Sequence, residues 1–399
     1  MSSAVSNWGS SGLAYLTGLP YGRPDFSRAD VLTRAEQVAA ALGTHLGVTV
    51  DAATLLTGRA GLLGLSRGGR ISAGGGTRLL SARDGWCALT LSRPDDIAAV
   101  PALLEVERVP VDPWPVLQLW AATCLVSEIT ERASLLDIPA AGLGEVAAAL
   151  PRIHPMGTRA DARRFADLLV ADLSSMWAGP LCGQLLAHAG ATVVKVESPR
   201  RPDGTRQGNR QFFDWMNGEK LSYSLDFDSQ ADELRELLAV ADIVIEGSRP
   251  AALTRRRLGP EHIAPRAGRI WLRISGYGQD PARPAFGDDA AVAGGLVSSG
   301  GPAGFEGPVF CGDAIADPLT GLEATSAVTE SLARGGGELI HVSMAETAAR
   351  YAALPITAPV SECPASPPPP PPSCDRAAEL GADNDVVRHL VAEKRLLSC

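Results

Sequence analysis

The sequence predicts an α/β protein built on a largely parallel sheet, and three observations carry that prediction. Short β-rich runs occupy 165–173 (FADLLVADL), 191–198 (ATVVKVES), 221–227 (LSYSLDF), 242–247 (DIVIEG) and 269–276 (RIWLRISG), with helical segments at 180–190 and 229–241 between them. The chain's 399 residues exceed one ordinary domain and point to about two. Its 45% hydrophobic and 20% charged content is that of a globular protein.

Bulk properties narrow the function classes. A net charge of −9 argues against a general nucleic-acid binder. Seven cysteines, at 87, 124, 182, 311, 363, 374 and 399, form no CxxC pair and have no histidine at zinc spacing. They read as reduced thiols in a cytoplasmic protein without a metal site. The opening MSSAVSNWGSSGLAYLTG lacks a basic n-region, and no 18-residue apolar run occurs, so neither export nor membrane insertion is expected.

Taken in order, residues 30–47 carry Leu32, Ala35, Val38, Ala39, Leu42 and Leu46 at helical spacing and stop at Gly47. Gly74, Gly75 and Gly76 then make a run that suits no helix or strand and reads as either a slack connector or a mobile lid. Asp84-Gly85 turns the chain into a strand from Trp86. From 100 to 150 the pattern is helical and broken by prolines, and the polar, proline-punctuated 151–164 is the expected domain linker. Residues 354–375 include six consecutive prolines and are expected to be an extended polyproline spacer, with an amphipathic helical segment at 376–399.

Chemistry concentrates in two places. Asp317 stands before Pro318 at the start of an apolar-periodic helix, where an aspartate ordinarily caps backbone N–H groups but could also be held ionised and aimed outward as a nucleophile. The strand ends read 174–180 (SSMWAGP), 197–201 (ESPRR), 246–250 (EGSRP) and 275–279 (SGYGQ), with arginines at two of the four. Ligands of open parallel sheets bind at these ends, and arginine suits phosphate; solvated surface arginine is the plainer alternative. No GxGxxG or GxxxxGK[ST] follows a strand.

Read together, WAGPLCGQLLAHAGATVVKVESP, NGEKLSYSLDF, ADIVIEGSRP, RISGYGQ, GDDAAVAGGL and ADPLTGLEA resemble, in order and spacing, the class III CoA-transferase family, over about residues 165–353. The resemblance implies an open Rossmann-like lobe that holds coenzyme A or acyl-CoA as substrate, with Asp317 as nucleophile. CoA contacts would come from Glu197, Ser198 and Pro199, from Leu225, Asp226 and Phe227, from Gly247, Ser248 and Arg249, and from Gly276, Tyr277 and Gly278. Ser198 replaces an arginine common in the family, so Arg200 or Arg201 would take its phosphate contact. The second partner would be a carboxylic acid, and family members form dimers. An Asp near its ordinary pKa of about 3.9 would already be ionised at neutral pH.

The resemblance also implies a smaller α+β lobe carrying a glycine-rich loop and a DG-strand after the aspartate, whereas 70–86 lies before it, so the order is permuted. Residues 29–36 (ADVLTRAE) match 316–323 (ADPLTGLE) at five of eight positions. Residues 1–150 would thus be the small glycine-loop lobe left from a first copy, with Asp30 an inert relic and Gly74, Gly75 and Gly76 a lid over Asp317. Family racemases carry a GHD motif where this chain has Gly287-Asp288-Asp289, which favours transfer over racemisation. The alternatives are a racemase or isomerase using Asp288 or Asp289 as second base, and a degenerate CoA-binding subunit.

Overall fold

A seven-stranded sheet organises the second half of the chain. In this computed structural model, which describes residues 3–247, 250–299, 307–358 and 363–396, the spatial order is Arg152–Pro155, Glu338–Ser343, Ile270–Ser275, Ile243–Glu246, Leu169–Asp172, Thr192–Glu197 and Leu221–Ser224. All neighbours pair in parallel except the first strand, which runs antiparallel to Glu338–Ser343. The central strands are largely apolar because both faces are covered: Val170, Ile243, Ile245 and Leu272 face one core, and Leu169, Val244 and Trp271 the other. The chain steps outward from Leu169–Asp172 to one side and returns on its other side, which opens a crevice at the carboxyl ends of the strands.

The expected linker at 151–164 is partly a strand. Arg152–Pro155 closes the sheet's edge with backbone hydrogen bonds, and a proline-containing segment is tolerated there because an edge strand pairs on one side only.

The first 150 residues do not make one lobe. Ala29–Leu46 ends at Gly47, whose φ of 70° suits glycine, and Ala52–Leu63 is capped by Asp51, which accepts from the Ala53 and Thr54 amides. Leu32, Leu42 and Leu56 of these helices share the main core with Leu319 and Leu322 of the Asp317 helix, Ala316–Ala333. A separate small core forms under the hairpin Thr77–Ser81 and Trp86–Thr90, joined by the strand Ala140–Gly142 and backed by Pro94–Leu104, Trp114–Ala121 and Val126–Leu135. This second unit is the α+β part.

The proline-rich segment is extended, as its composition demands, but it is docked rather than free. Pro368 and Pro371 are buried and Ala365 partly so, the three-residue period of polyproline II. Glycines make the groove. A Cβ on Gly9 would stand 2.4 Å from the Pro364 oxygen, one on Gly12 2.5 Å from Pro368 Cα, and one on Gly61 2.3 Å from the Pro369 oxygen. Beyond the prolines the chain is held by Arg210 and Asp214, which bond the carbonyl and amide of Ala377, and then forms the helix Asn384–Leu396, whose Val387 and Val391 fill the second core. No helix among the described residues is long and apolar enough to cross a membrane.

Docking sets the sign of a stability change. Intrinsic propensity makes Gly61→Ala, inside a helix, stabilising by about 0.8–1 kcal/mol. The contact with Pro369 reverses that, and overpacking against backbone should cost roughly 1–3 kcal/mol in denaturant unfolding. A more stable variant would show that the prolines do not occupy the groove.

Candidate active site

Asp317 sits in the first turn of its helix, and it is not the cap that its sequence position suggests. The helix begins at Ala316 after Ile315, and Pro318 falls in the first turn, where its missing N–H costs nothing. The Asp317 carboxylate is therefore free to turn sideways, where it accepts a hydrogen bond from the Gly287 amide. Gly287 has to be glycine: a Cβ there would lie 2.3 Å from Asp317 Oδ2 and 2.4 Å from the Ala314 oxygen.

Two further carboxylates share the place. Asp288 accepts from the Ala314 amide at 3.0 Å and, more weakly, from the Thr77 hydroxyl at 3.5 Å. Asp313 is fully buried, and both its oxygens accept from Arg59 Nη1, at 2.7 and 2.8 Å. Arg59 comes from Ala52–Leu63, and its guanidinium lies 5.7 Å from the ring centre of Trp177 and 5.8 Å from that of Phe212. Behind them Asp289 caps its own helix through the Phe286 amide and accepts from Thr90, which ties this helix to the small lobe's hairpin.

Crowding decides the protonation. Burial pushes Asp317 up to about 7; Arg59 opposes the rise, and Asp288 and Asp313 add to it. Asp288 is pushed to about 6 by burial and by Asp313, with Arg59 opposing. Burial likewise raises Asp313 against the pull of Arg59. The expectation of a fully ionised aspartate is thus corrected: Asp317 titrates near neutrality. Asp317 and Asp288 keep partial exposure, and what they face is a cavity of about 250 Å³.

That cavity opens at the carboxyl end of Leu169–Asp172, beside the sheet's crevice. Gly74 and Gly76 line it together with Asp317, although some 240 residues separate them in sequence. A Cβ on Gly74 would meet Arg59 at 3.4 Å, one on Gly76 would meet Ser92 Oγ at 2.5 Å, and Gly75 has φ +79°. Asp30 also lies in the first turn of an 18-residue helix, one packed against the Asp317 helix, but it does not line the cavity.

The strand-end residues form a line along the same edge of the sheet, outside the cavity lining. Glu197 is buried and holds Arg206 at 2.6 Å and the Asp203 amide at 2.9 Å; the Ser198 carbonyl and the Arg201 amide close a turn around Pro199. Arg200 is two-thirds exposed and pairs with Asp226 at 2.6 Å. Leu225 is buried, and its amide bonds the Glu197 carbonyl, which sets Phe227 near the same turn. Gly247 packs on Ser174, while Ser248 and Arg249 lie outside the described residues. Tyr277, between Gly276 and Gly278, is buried with its hydroxyl on the Ala140 carbonyl and Arg283 over its ring, so its side chain faces the small lobe.

No local sequence pattern marks Arg59 or Asp313 as a site residue. An arginine on a capped helix reads as a solvated face, and nothing in its neighbours marks it. Trp177 lay inside a quoted motif, but only folding brings it to Phe212, with centroids 5.3 Å apart.

Known proteins resemble about half of this chain. The sequence profile described as CoA-transferase family III matches residues 165–376, just over half of the chain. A succinyl-CoA–D-citramalate CoA-transferase of Chloroflexus aurantiacus is 31% identical over 48% of this chain and 52% of that protein. A succinate–glutarate CoA-transferase of Agrobacterium fabrum is 34% identical over 45% of this chain and 50% of that protein. Among solved structures, a CAIB/BAIF family protein from Brucella suis aligns with a TM-score of 0.43 and 29% identity, over 48% of this chain and 56% of that one. The chain spans about half the length of the curated relatives it matches.

The raised carboxyl pKa has a stability consequence. A carboxyl lifted from 3.8 to about 7 favours the folded state below its unfolded pKa, and that contribution is lost as pH rises through the folded value. Asp317→Asn keeps an acceptor for the Gly287 amide and removes the charge. It should unfold at higher denaturant concentration than wild type at pH 8, with the advantage shrinking toward pH 4. Equal midpoints at both pH values would contradict the raised pKa.

Proposed function

The chain belongs to CoA-transferase family III, and from that premise we propose that it moves coenzyme A between carboxylic acids through a thioester on Asp317. The Asp317 carboxylate attacks the acyl-CoA carbonyl, the carbon–sulfur bond breaks, and a mixed anhydride and CoA thiolate result. The thiolate then attacks the aspartyl carbonyl, which releases the first acid and leaves aspartyl-CoA. The acceptor carboxylate reverses the sequence and departs as the new acyl-CoA.

One observation carries this reading. A carboxylate in a helix's first turn, oriented by the Gly287 amide, opens into a cavity at the carboxyl ends of a parallel sheet. A pKa near 7 makes the carboxylate a more basic and stronger nucleophile than an ordinary aspartate while a large fraction of it is ionised at neutral pH. The CoA chain would run along the strand-end line, with Arg200 or Arg201 at its phosphates. The glycine run would cover the intermediates, which water destroys.

Asp317→Ala should lower transfer by on the order of 10³-fold or more while the fold persists, and Asp30→Ala should leave the rate nearly unchanged. In wild type, kcat/KM should rise with pH through about 7 and level off above it, because the ionised carboxylate is the nucleophile. Equal effects of the two substitutions, or a rate that falls across that range, would refute the assignment.

Replacing Gly74, Gly75 and Gly76 with alanine should reduce transfer and raise the fraction of acyl-CoA lost to hydrolysis, with CoA affinity little changed. An unaltered hydrolysis fraction would remove the lid role. A second reading, α-proton exchange on an acyl-CoA, is favoured by Asp288 and Asp317 lining one cavity. It predicts deuterium uptake from heavy water at the α-carbon without any acid acceptor.

A further inference from the structure

The relatives' names pair succinyl-CoA with citramalate and succinate with glutarate, all acids with a second carboxylate. The cavity beside Asp317 is built for something else. Of the described residues lining it, Arg59 is the single cation, and its Nη1 is already bonded to both oxygens of buried Asp313. The larger side chains of the wall are Leu63, Met176, Trp177, Phe212 and Phe286, beside the neutral polar groups of Thr77, Ser92, Thr205 and Asn209. Trp177 and Phe212 meet edge to face, at 81° and 5.3 Å, and present an aromatic corner to the space.

From this we infer that the acyl group is apolar and monocarboxylic, an aryl or branched-chain acyl-CoA. The inference rests on the reading of Asp317 as the acyl acceptor. A distal carboxylate would be stripped of water against largely apolar side chains and would face Asp288 and Asp317, while the one cation, Arg59, is already paired with Asp313. Size agrees: a dry apolar cavity of roughly 150 Å³ takes up benzene, and the volume here is about 250 Å³.

The test needs no knowledge of the natural acceptor. The full-length wild-type chain is given benzoyl-CoA, phenylacetyl-CoA, isobutyryl-CoA, succinyl-CoA or glutaryl-CoA, each with its own carbon-13-labelled free acid. Label entering the thioester is followed by mass spectrometry. In each exchange one thioester bond breaks and an identical one forms, so atoms and electrons balance and no co-reactant is needed. The aryl and branched monocarboxylic pairs should exchange with kcat/KM about tenfold or more above the dicarboxylic pairs, since burying an unpaired carboxylate costs more than the 1.4 kcal/mol that a factor of ten represents. Dicarboxylic pairs exchanging as fast or faster would overturn the substrate class and leave transfer intact. Absence of exchange with every pair would overturn the transferase reading, and this inference with it.

Discussion

The ion pair between Arg59 and Asp313 is the constraint on which the site depends. Three aspartates converge at one end of the Asp317 helix, and burial raises the pKa of each. Without a counter-charge, the ionised forms would repel one another and drive the cluster neutral or apart. One guanidinium, its Nη1 shared between both oxygens of Asp313 and its plane near two aromatic rings, supplies that charge. It leaves Asp317 balanced near neutrality rather than fixed as an acid or as an anion.

Arg59 can do this only if its helix is held in place, and the holding is done from behind. The proline-rich segment lies in a groove whose floor includes Gly58, next to Arg59, and Gly61, two residues beyond it along the helix. A polyproline strand loses little conformational entropy on docking and tolerates close approach only where side chains are absent. The prolines thus clamp the outer face of the helix whose inner face supplies the cation. Packing of the Asp30 helix against the Asp317 helix fixes the other flank.

The same logic joins the two ends of the chain. The Asp317 helix comes from residues past 300, its counter-charge and neighbouring glycine run from residues 59 and 74–76, and its rear support from 363–372. None of these segments makes a site alone. The helical part of the N-terminal region shares the main core, while the hairpin part keeps its own and reaches the site through Thr77 and Thr90, which bond Asp288 and Asp289. Segments far apart in the chain build one site because packing depends on which faces meet, not on the order in which the chain supplies them.

By itself the sequence determined the parallel sheet, the helix that begins at Asp317, the extended state of the prolines and the family to which the residues 165–376 belong. These follow from local rules: apolar runs of strand length between helical periods, the backbone geometry of proline, and motifs whose residues are close in sequence. It also led to the pairing of the glycine run with Asp317, through motif order. Only tertiary structure decided that 152–155 is a strand, that the prolines are docked, that Asp317 leaves its helix cap for Gly287, and that Arg59 enters the site. Each of these depends on a partner outside its own local stretch of sequence, for Arg59 one more than 250 residues away, and a pKa near 7 depends on the sum of such partners. Burial and charge are properties of a three-dimensional neighbourhood, and no local pattern encodes them.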